Sequence, residues 1–346
     1  MLKSLAIAVS MYSRIPVPNF SWDDKSAKYA LCYFPFVGLI IGIAEFAAFY
    51  LLSYIETNIL KLCIMCTVPL IISGGIHMDG FMDTVDALSS YSDKERKLEI
   101  LKDPNTGAFA VIAFGVYMLF YIGLLSELKS GVIIIFCLGF VLSRALSGIY
   151  VLSFDKAKNG GLAAQWSGFT DKKKAVAALS AQAFLCIAVM LFFDMITGII
   201  VILITAVTSI YHYNNCKKNF GGITGDLAGY FLQLEEIAVL LSCIIGGKKQ
   251  GKTEFVNINF QGKKVINKFH EIMRFEIKKG KDVDTIVNEA IDNAYVIICD
   301  EIGCGIVPLD PFERIWREET GRAMCILAAK ADFVYRLYSG IAVRIK

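Results

Sequence analysis

Apolar runs near the roughly 20 residues that a bilayer-crossing helix needs recur along the first two thirds of the chain. They lie at 32–54, 58–76, 106–126, 131–152, 175–194 and 195–213, and predict about six membrane-spanning helices. The polar stretches between them differ in charge. Arg96, Lys97 and Lys102 fall in 77–105, Lys156, Lys158 and Lys172 to Lys174 in 153–174, and Lys217 and Lys218 in 214–226. The intervening loops are short and nearly uncharged. Basic residues gather on the cytoplasmic side, so the N-terminus and those three loops are expected inside. The opening MLKSLAIAVSMYSRIPVP has only a short apolar stretch and no small-residue cleavage site. It reads as an interfacial helix, not a signal peptide. A further apolar segment, 227–245, carries Glu235 and Glu236 at its middle, which is costly in lipid. A crossing there would also leave the rest of the chain outside. It is therefore expected to be a packed or interfacial helix ending in a strand over about 239–245.

From Gly246 the pattern changes. The last 101 residues hold 31 of the 67 charged residues, and apolar runs shorten to strand length in VLLSCII, YVIICDE and DFVYRLYSG, with helical patterns between. The predicted fold is an all-α polytopic membrane domain of six or seven helices over 1–240, followed by a small α/β P-loop-like soluble domain over 241–346. Composition agrees. The chain is 55% hydrophobic and 19% charged with mean hydropathy +0.55, against 45–50% and about 25% for ordinary soluble proteins. A net charge of +3 is too small to suggest nucleic acid. Cys63, Cys66, Cys137, Cys186 and Cys243 lie in apolar runs, which favours buried free thiols over a disulfide framework.

Four stretches of the membrane part carry candidate chemistry. In GGIHMDGFMDTVDAL, Asp79, Asp83 and Asp86 are spaced i, i+4, i+7, so a helix puts all three on one face. Three like charges repel unless a cation sits among them. Oxygen donors without a histidine cluster suit a hard ion such as Mg²⁺. The plainer alternative is an acid-rich, solvated first turn. In LKDPNTGAFAV, Lys102 and Asp103 precede a turn and a span. This is either a loop–helix junction capped by Thr106 or a backbone cradle for a phosphate oxygen with Lys102 as counter-charge. Arg144 lies inside a span and needs a polar partner or cavity. In FGGITGDLAGY, Gly221 and Gly222 permit close backbone approach, and Asp226 adds a fourth carboxylate at the same end. Acids, bases and glycine turns collected at one membrane boundary suit metal-assisted displacement at phosphorus. In the tail, GGKKQGKT (Gly246 to Thr253) fits the phosphate-loop pattern, with Gly246, Gly251, Lys252 and Thr253 as binders and Asp300 or Glu301 as an acidic strand end for metal.

MYSRIPVP, YFPFVGLIIG, GGIHMDGFMDTVDAL, KDPNTGAFAV and GGITGD, in this order, resemble the cobalamin synthase family, the adenosylcobinamide-GDP ribazoletransferases, over roughly residues 1–240. The resemblance implies an integral membrane enzyme that joins adenosylcobinamide-GDP to α-ribazole or its 5′-phosphate, releases GMP and uses Mg²⁺. It implies Asp79, Asp83, Asp86, Lys102 and Asp103 as catalytic, and Asp79, Asp83, Asp86 and Asp226 as metal ligands. Arg14, Asn105, Arg144, Gly221, Gly222, Thr224 and Asp226 are implied as substrate-binding. Gln233 departs from the Glu expected there. The end of the tail, with Arg317, Gly321 and Arg322, is similar to adenosylcobinamide kinase/adenosylcobinamide-phosphate guanylyltransferase. The stretch from Thr253 to Tyr295 is shorter than in that family, and His270 does not match its guanylyl-accepting histidine. GTP or ATP at the tail, other cobalamin-assembly enzymes as partners, and a cytoplasmic-membrane setting with site and tail facing the cytoplasm are further implications. A CDP-alcohol phosphotransferase and a transporter with a nucleotide-regulated tail are the alternatives.

Overall fold

The computed structural model describes residues 2–18, 24–52, 58–157, 170–247, 252–303, 308, 310–338 and 341–346. The chain divides into two compact units between Lys248 and Lys249. The first is helical: α1 (Leu2–Tyr12), α2 (Asp24–Ala27), α3 (Phe34–Leu51), α4 (Asn58–Ser73), α5 (Ile76–Ser89), α6 (Lys94–Ile100), α7 (Ala108–Ser126), α8 (Ile133–Ser153), α9 (Lys172–Phe193), α10 (Met195–Asn215) and α11 (Gly225–Gly246). Among the described residues six helical stretches are long and apolar enough to cross a membrane: Ala30–Leu51, Ala108–Ser126, Ser130–Ser153, Lys172–Phe193, Met195–Phe220 and Gly225–Gly246. The chain is a multi-pass membrane protein. Exposed Ile112, Leu119, Phe184 and Leu203 on the outer faces of α7, α9 and α10 have lipid as their solvent.

Two expectations are corrected. The run 58–76 is not one straight span. α4 stops at Ser73, Gly74 and Gly75 turn the chain at φ of 70° and 80°, and α5 leaves at 94° to α4. Positive φ at two successive residues explains the paired glycines. Segment 227–245 is a full helix with no terminal strand, long and apolar enough to cross a membrane. Its two glutamates face protein. Glu236 Oε1 accepts from Arg144 Nη1 at 2.7 Å. Glu235 accepts from the hydroxyls of Thr205 and Thr208 on α10. Charge paired inside a bundle escapes the lipid penalty on which the expectation rested.

The helix path defines two ends. Tyr12 and His77 flank the Phe34 ring at the start of α3, at centroid distances of 4.2 and 5.6 Å, so α1, α3 and α5 meet at one end. At the other end Gly246 packs on Thr197 at the start of α10, and Gly247 lies against Val132. α11 therefore carries the chain from the first end to the second.

The second unit is small and mixed. α12 (Lys252–Asn259) precedes β1 (Val265–Ile266), which pairs in parallel with β2 (Val296–Ile297). Between them α13 (Phe269–Lys278) and α14 (Val283–Asn293) pack with α15 (Pro311–Lys330) around Phe269, Met273, Val287 and Ala323. β3 (Tyr335–Tyr338) and β4 (Ile341–Arg344) close the unit as an antiparallel hairpin. Asp282 and Asp310 cap α14 and α15, and Pro311 opens the latter.

Candidate active site

The acidic face is assembled by two close helix crossings. A Cβ on Gly80 would lie 2.8 Å from the Asp226 carbonyl oxygen and 2.9 Å from its Cα. A Cβ on Gly229 would lie 3.1 Å from the His77 carbonyl. Glycine at both positions lets α5 and α11 approach backbone to backbone, and so sets the first turn of α11, with Asp226, beside the Asp79–Asp83 face. Asp79 is exposed, and Asp83 and Asp226 are half-buried. The four acids share one electrostatic environment. Asp83, on α5 outside the six spans, is pushed up to about 7, first by burial and then by the charges of Asp79, Asp226 and Asp86.

Glycine and threonine around Asp226 build its seat. Gly221 turns the chain at φ 75° after a π-helical turn, Cys216–Phe220. Gly222 lies against the backbone of residues 155–157, where Ile223 N donates to Asp155 O and Ala157 N to Ile223 O. Thr224 Oγ1 caps α11 by accepting from Leu227 N at 3.2 Å. Gly221, Gly222 and Thr224 thus hold the loop that presents Asp226. Arg14 comes to the same end. Its backbone N donates to Ile72 O at 2.8 Å, and its exposed side chain lies over Gly74.

Asp86 differs from its neighbours. Its Oδ2 accepts from Gly107 N at 3.0 Å, so the free backbone donor at the start of α7 already holds an anion, the protein's own. The phosphate cradle expected at 103–107 has this donor filled, and the N-cap is Gly107 without a side-chain cap, not Thr106. Asp103 Oδ1 accepts from Asn105 N and Nδ2, which shapes the turn. Lys102 is exposed at that turn. Arg144 is 1% exposed and closed in by Glu236, the Phe140 carbonyl and Ser143, which leaves it no surface for substrate. Its place is structural.

A hard divalent cation fits these donors in part. The donors are carboxylates, carry excess negative charge and reach solvent at Asp79. Yet among the described residues no three His, Cys, Asp or Glu side chains converge into a ready ligand set. The face suits an ion that arrives partly liganded by phosphate oxygens better than one caged by protein alone.

In the second unit Lys252 Nζ donates to Asp300 Oδ1 at 2.6 Å and to Cys299 O at 2.9 Å. Burial raises the Asp300 carboxyl, but the hydrogen bond and charge of Lys252 outweigh it and hold it below its usual range. Thr253 Oγ1 accepts from Asn267 Nδ2, and Glu301 Oε1 from Gly303 N. Gly246 belongs to α11, where it permits contact with Thr197, and not to a phosphate loop. Gly251 lies outside the described residues. The sequence reading set His270 aside, yet the fold places it at this cluster: its Nδ1 accepts from Asp300 N at 3.2 Å. Its position after β1, opposite the end of β2, is a tertiary fact without a local signal.

Residues 4–244 match the cobalamin-5-phosphate synthase family, and residues 266–345 match cobinamide kinase / cobinamide phosphate guanyltransferase. GGKKQGKT precedes the second match. The chain is 43% identical over 245 residues to the adenosylcobinamide-GDP ribazoletransferase of Lachnoclostridium phytofermentans, covering 70% of this chain and 94% of that protein. The enzyme of the same name from Clostridium perfringens strain SM101 is 36% identical over 245 residues, covering 69% and 96%. That of Listeria welshimeri is 32% identical over 249 residues, covering 70% and 98%. No solved structure matches the chain.

Proposed function

The chain belongs to the cobalamin-5-phosphate synthase family, and we propose that its membrane unit is an adenosylcobinamide-GDP ribazoletransferase working at the Asp79–Asp83–Asp226 face. The observation that carries this site is the Gly80–Asp226 crossing, which spends two glycines to bring a third carboxylate to a pair that already repels. The substrates are adenosylcobinamide-GDP and α-ribazole or its 5′-phosphate. An oxygen of the ribazole attacks the phosphorus nearest the corrinoid arm, the bond to GMP breaks, and the cobamide carries the new phosphodiester.

Mg²⁺ is the proposed cofactor, with Asp79, Asp83 and Asp226 as its protein oxygens. When bound, it neutralises diphosphate oxygens and stabilises the departing GMP. Asp86 holds the α7 start against the face, and Asp103 and Asn105 shape the loop that carries Lys102. Lys102 and Arg14 supply positive charge to the diphosphate. The acidic end carries the basic loops 77–105 and 214–226, which supports a cytoplasmic orientation for it in the cell's inner membrane.

For the C-terminal unit the proposal is a nucleotide-phosphate site at Lys252, Thr253 and Asp300, where GTP or ATP displaces Asp300 from the lysine. Loss of nucleotide binding in Lys252→Ala tests it. Unchanged binding rejects it. The test of the main reading is cobamide formation by membranes containing the full chain, supplied with adenosylcobinamide-GDP and α-ribazole phosphate. Product that requires Mg²⁺ supports the reading. Full turnover in excess chelator refutes the metal assignment, and no product at any metal concentration refutes the activity.

A further inference from the structure

The bundle has a recess at its acidic end that shares no residue with the carboxylate face. A cavity of about 410 Å³ is lined by Ser4 of α1, Tyr29, Cys32 and Tyr33 before α3, Phe36 of α3, and Lys174, Ala178 and Gln182 of α9. None of these residues belongs to the site described above. α3 and α9 both pack chiefly on α8, and beyond the cavity each presents apolar side chains outward. Phe36, Leu39 and Ile43 do so on α3, and Leu185, one turn beyond Gln182, on α9. All four are exposed. These residues fall within two of the candidate spans, so they face lipid.

The chemistry changes along this recess as it does along a phospholipid. Tyr29 and Tyr33 put aromatic bodies and hydroxyls at the boundary, as interfacial aromatics do. The rim is basic. Lys174 lines the cavity, Lys172 and Lys173 precede it in sequence, and Lys28 shares its partner, Asp171. Asp171 meets Lys28 and Lys174 only at 3.8 and 3.5 Å. Such long, solvated pairs are weak, so either ammonium can turn to a phosphate at little cost. Gln182 Nε2 gives one hydrogen to Cys32 O at 3.1 Å, and its second remains for an oxygen in the cavity. The volume suits a headgroup and falls within the usual range for ligand pockets.

We propose that this recess is a binding site for one anionic phospholipid, its phosphate held by Lys174, Lys28 and the tyrosine hydroxyls, and its acyl chain lying between α3 and α9. The site is distinct from the carboxylate face. The two share no residue, and Tyr12 and Phe34 pack with His77 at the same end of the bundle. An anionic lipid there ties the ends of α1, α3 and α9 together beside the catalytic end.

The test uses the full chain, purified and delipidated in neutral detergent, with native mass spectrometry to count bound phosphatidylglycerol, phosphatidylcholine or glycerol phosphate. Phosphatidylglycerol should bind at one strong site with clear preference over phosphatidylcholine. Lys174→Gln should weaken that site about five-fold, the effect expected of one basic residue near an anionic headgroup. Ala178→Trp should fill the cavity and abolish the site without charge change, and Lys218→Gln, at another exposed lysine, should leave it intact. Equal uptake of both lipids, retention in Ala178→Trp, or competition by glycerol phosphate as strong as by the lipid overturns the proposal. Ribazoletransferase activity in the same preparations keeps this question separate from the catalytic one, because a catalytically dead chain retains the lipid site.

Discussion

Substituting Gly80 by alanine probes the geometry that the proposed chemistry depends on. The new methyl would sit 2.8 Å from a backbone oxygen and 2.9 Å from a backbone carbon of Asp226. Neither atom can rotate away, so α5 and α11 must part by about half an ångström to restore ordinary contact. Overpacking of this kind costs about 1–3 kcal/mol, while alanine returns up to about 1 kcal/mol through helix propensity. The net loss of folding stability is therefore about 0–2 kcal/mol. The site changes more, because Asp226 moves relative to Asp79 and Asp83. A displacement of about 1 Å costs on the order of 100-fold in rate, and half of that about ten-fold. Initial rates of cobamide formation by reconstituted Gly80→Ala should fall about ten-fold, with the thermal midpoint lowered by no more than several degrees. Gly225→Ala is the control, since its added methyl meets nothing within 4 Å. Full activity in Gly80→Ala, or equal loss in both variants, would refute the argument that this crossing sets the site.

Other outcomes follow from particular contacts. Arg144→Gln strands Glu236 in the bundle and should cost about 3–5 kcal/mol in detergent unfolding, whereas Arg144→Gln with Glu236→Gln should recover much of it. Recovery of nothing would mean that the pair is not the stabilising unit. Asp86→Ala removes the acceptor for Gly107 N and should cost about 1 kcal/mol, and Asp86→Asn, which keeps an oxygen there, should impair turnover less than Asp83→Asn. The reverse order would make Asp86 a ligand first and a cap second. The Asp83 carboxyl rises from an ordinary 3.8 to about 7 without a cation. A raised folded value favours the protonated form, so its contribution to stability is present below about 4 and lost as pH rises through about 7. A divalent cation should offset that loss, so Mg²⁺ should raise the thermal midpoint more at pH 8 than at pH 6. An equal rise at both would detach Asp83 from the metal.

The membrane part was legible wherever the signal was local. Long apolar runs gave five of the six spans, the i, i+4, i+7 aspartates did form one helix face, and Gly74 and Gly75 marked a real turn. The failures share a cause. Glu235 and Glu236 counted against a crossing because hydropathy records that a residue is charged, and not that it faces Arg144 or Thr205. VLLSCII looked like a strand because a short apolar run of seven has no period of its own; continuity with α11 decided it. Thr106 was the local choice for a cap, but the cap came from Asp86, twenty-one residues away on another helix. Gly80 and Gly229 carried no special mark, although they set Asp226 against α5. Close backbone approach is a property of pairs of helices, and one strand of text does not display it.

The claim beneath all of this is that Asp79 and Asp83 together hold the cation that draws the diphosphate into reaction. It is tested most directly by titrating Mg²⁺ against cobamide formation in wild type and in Asp79→Asn with Asp83→Asn, with thermal midpoints confirming that both are folded. Wild type should show saturable Mg²⁺ activation, and the double variant should lose nearly all turnover at every Mg²⁺ concentration. Wild-type turnover in the folded double variant would contradict it.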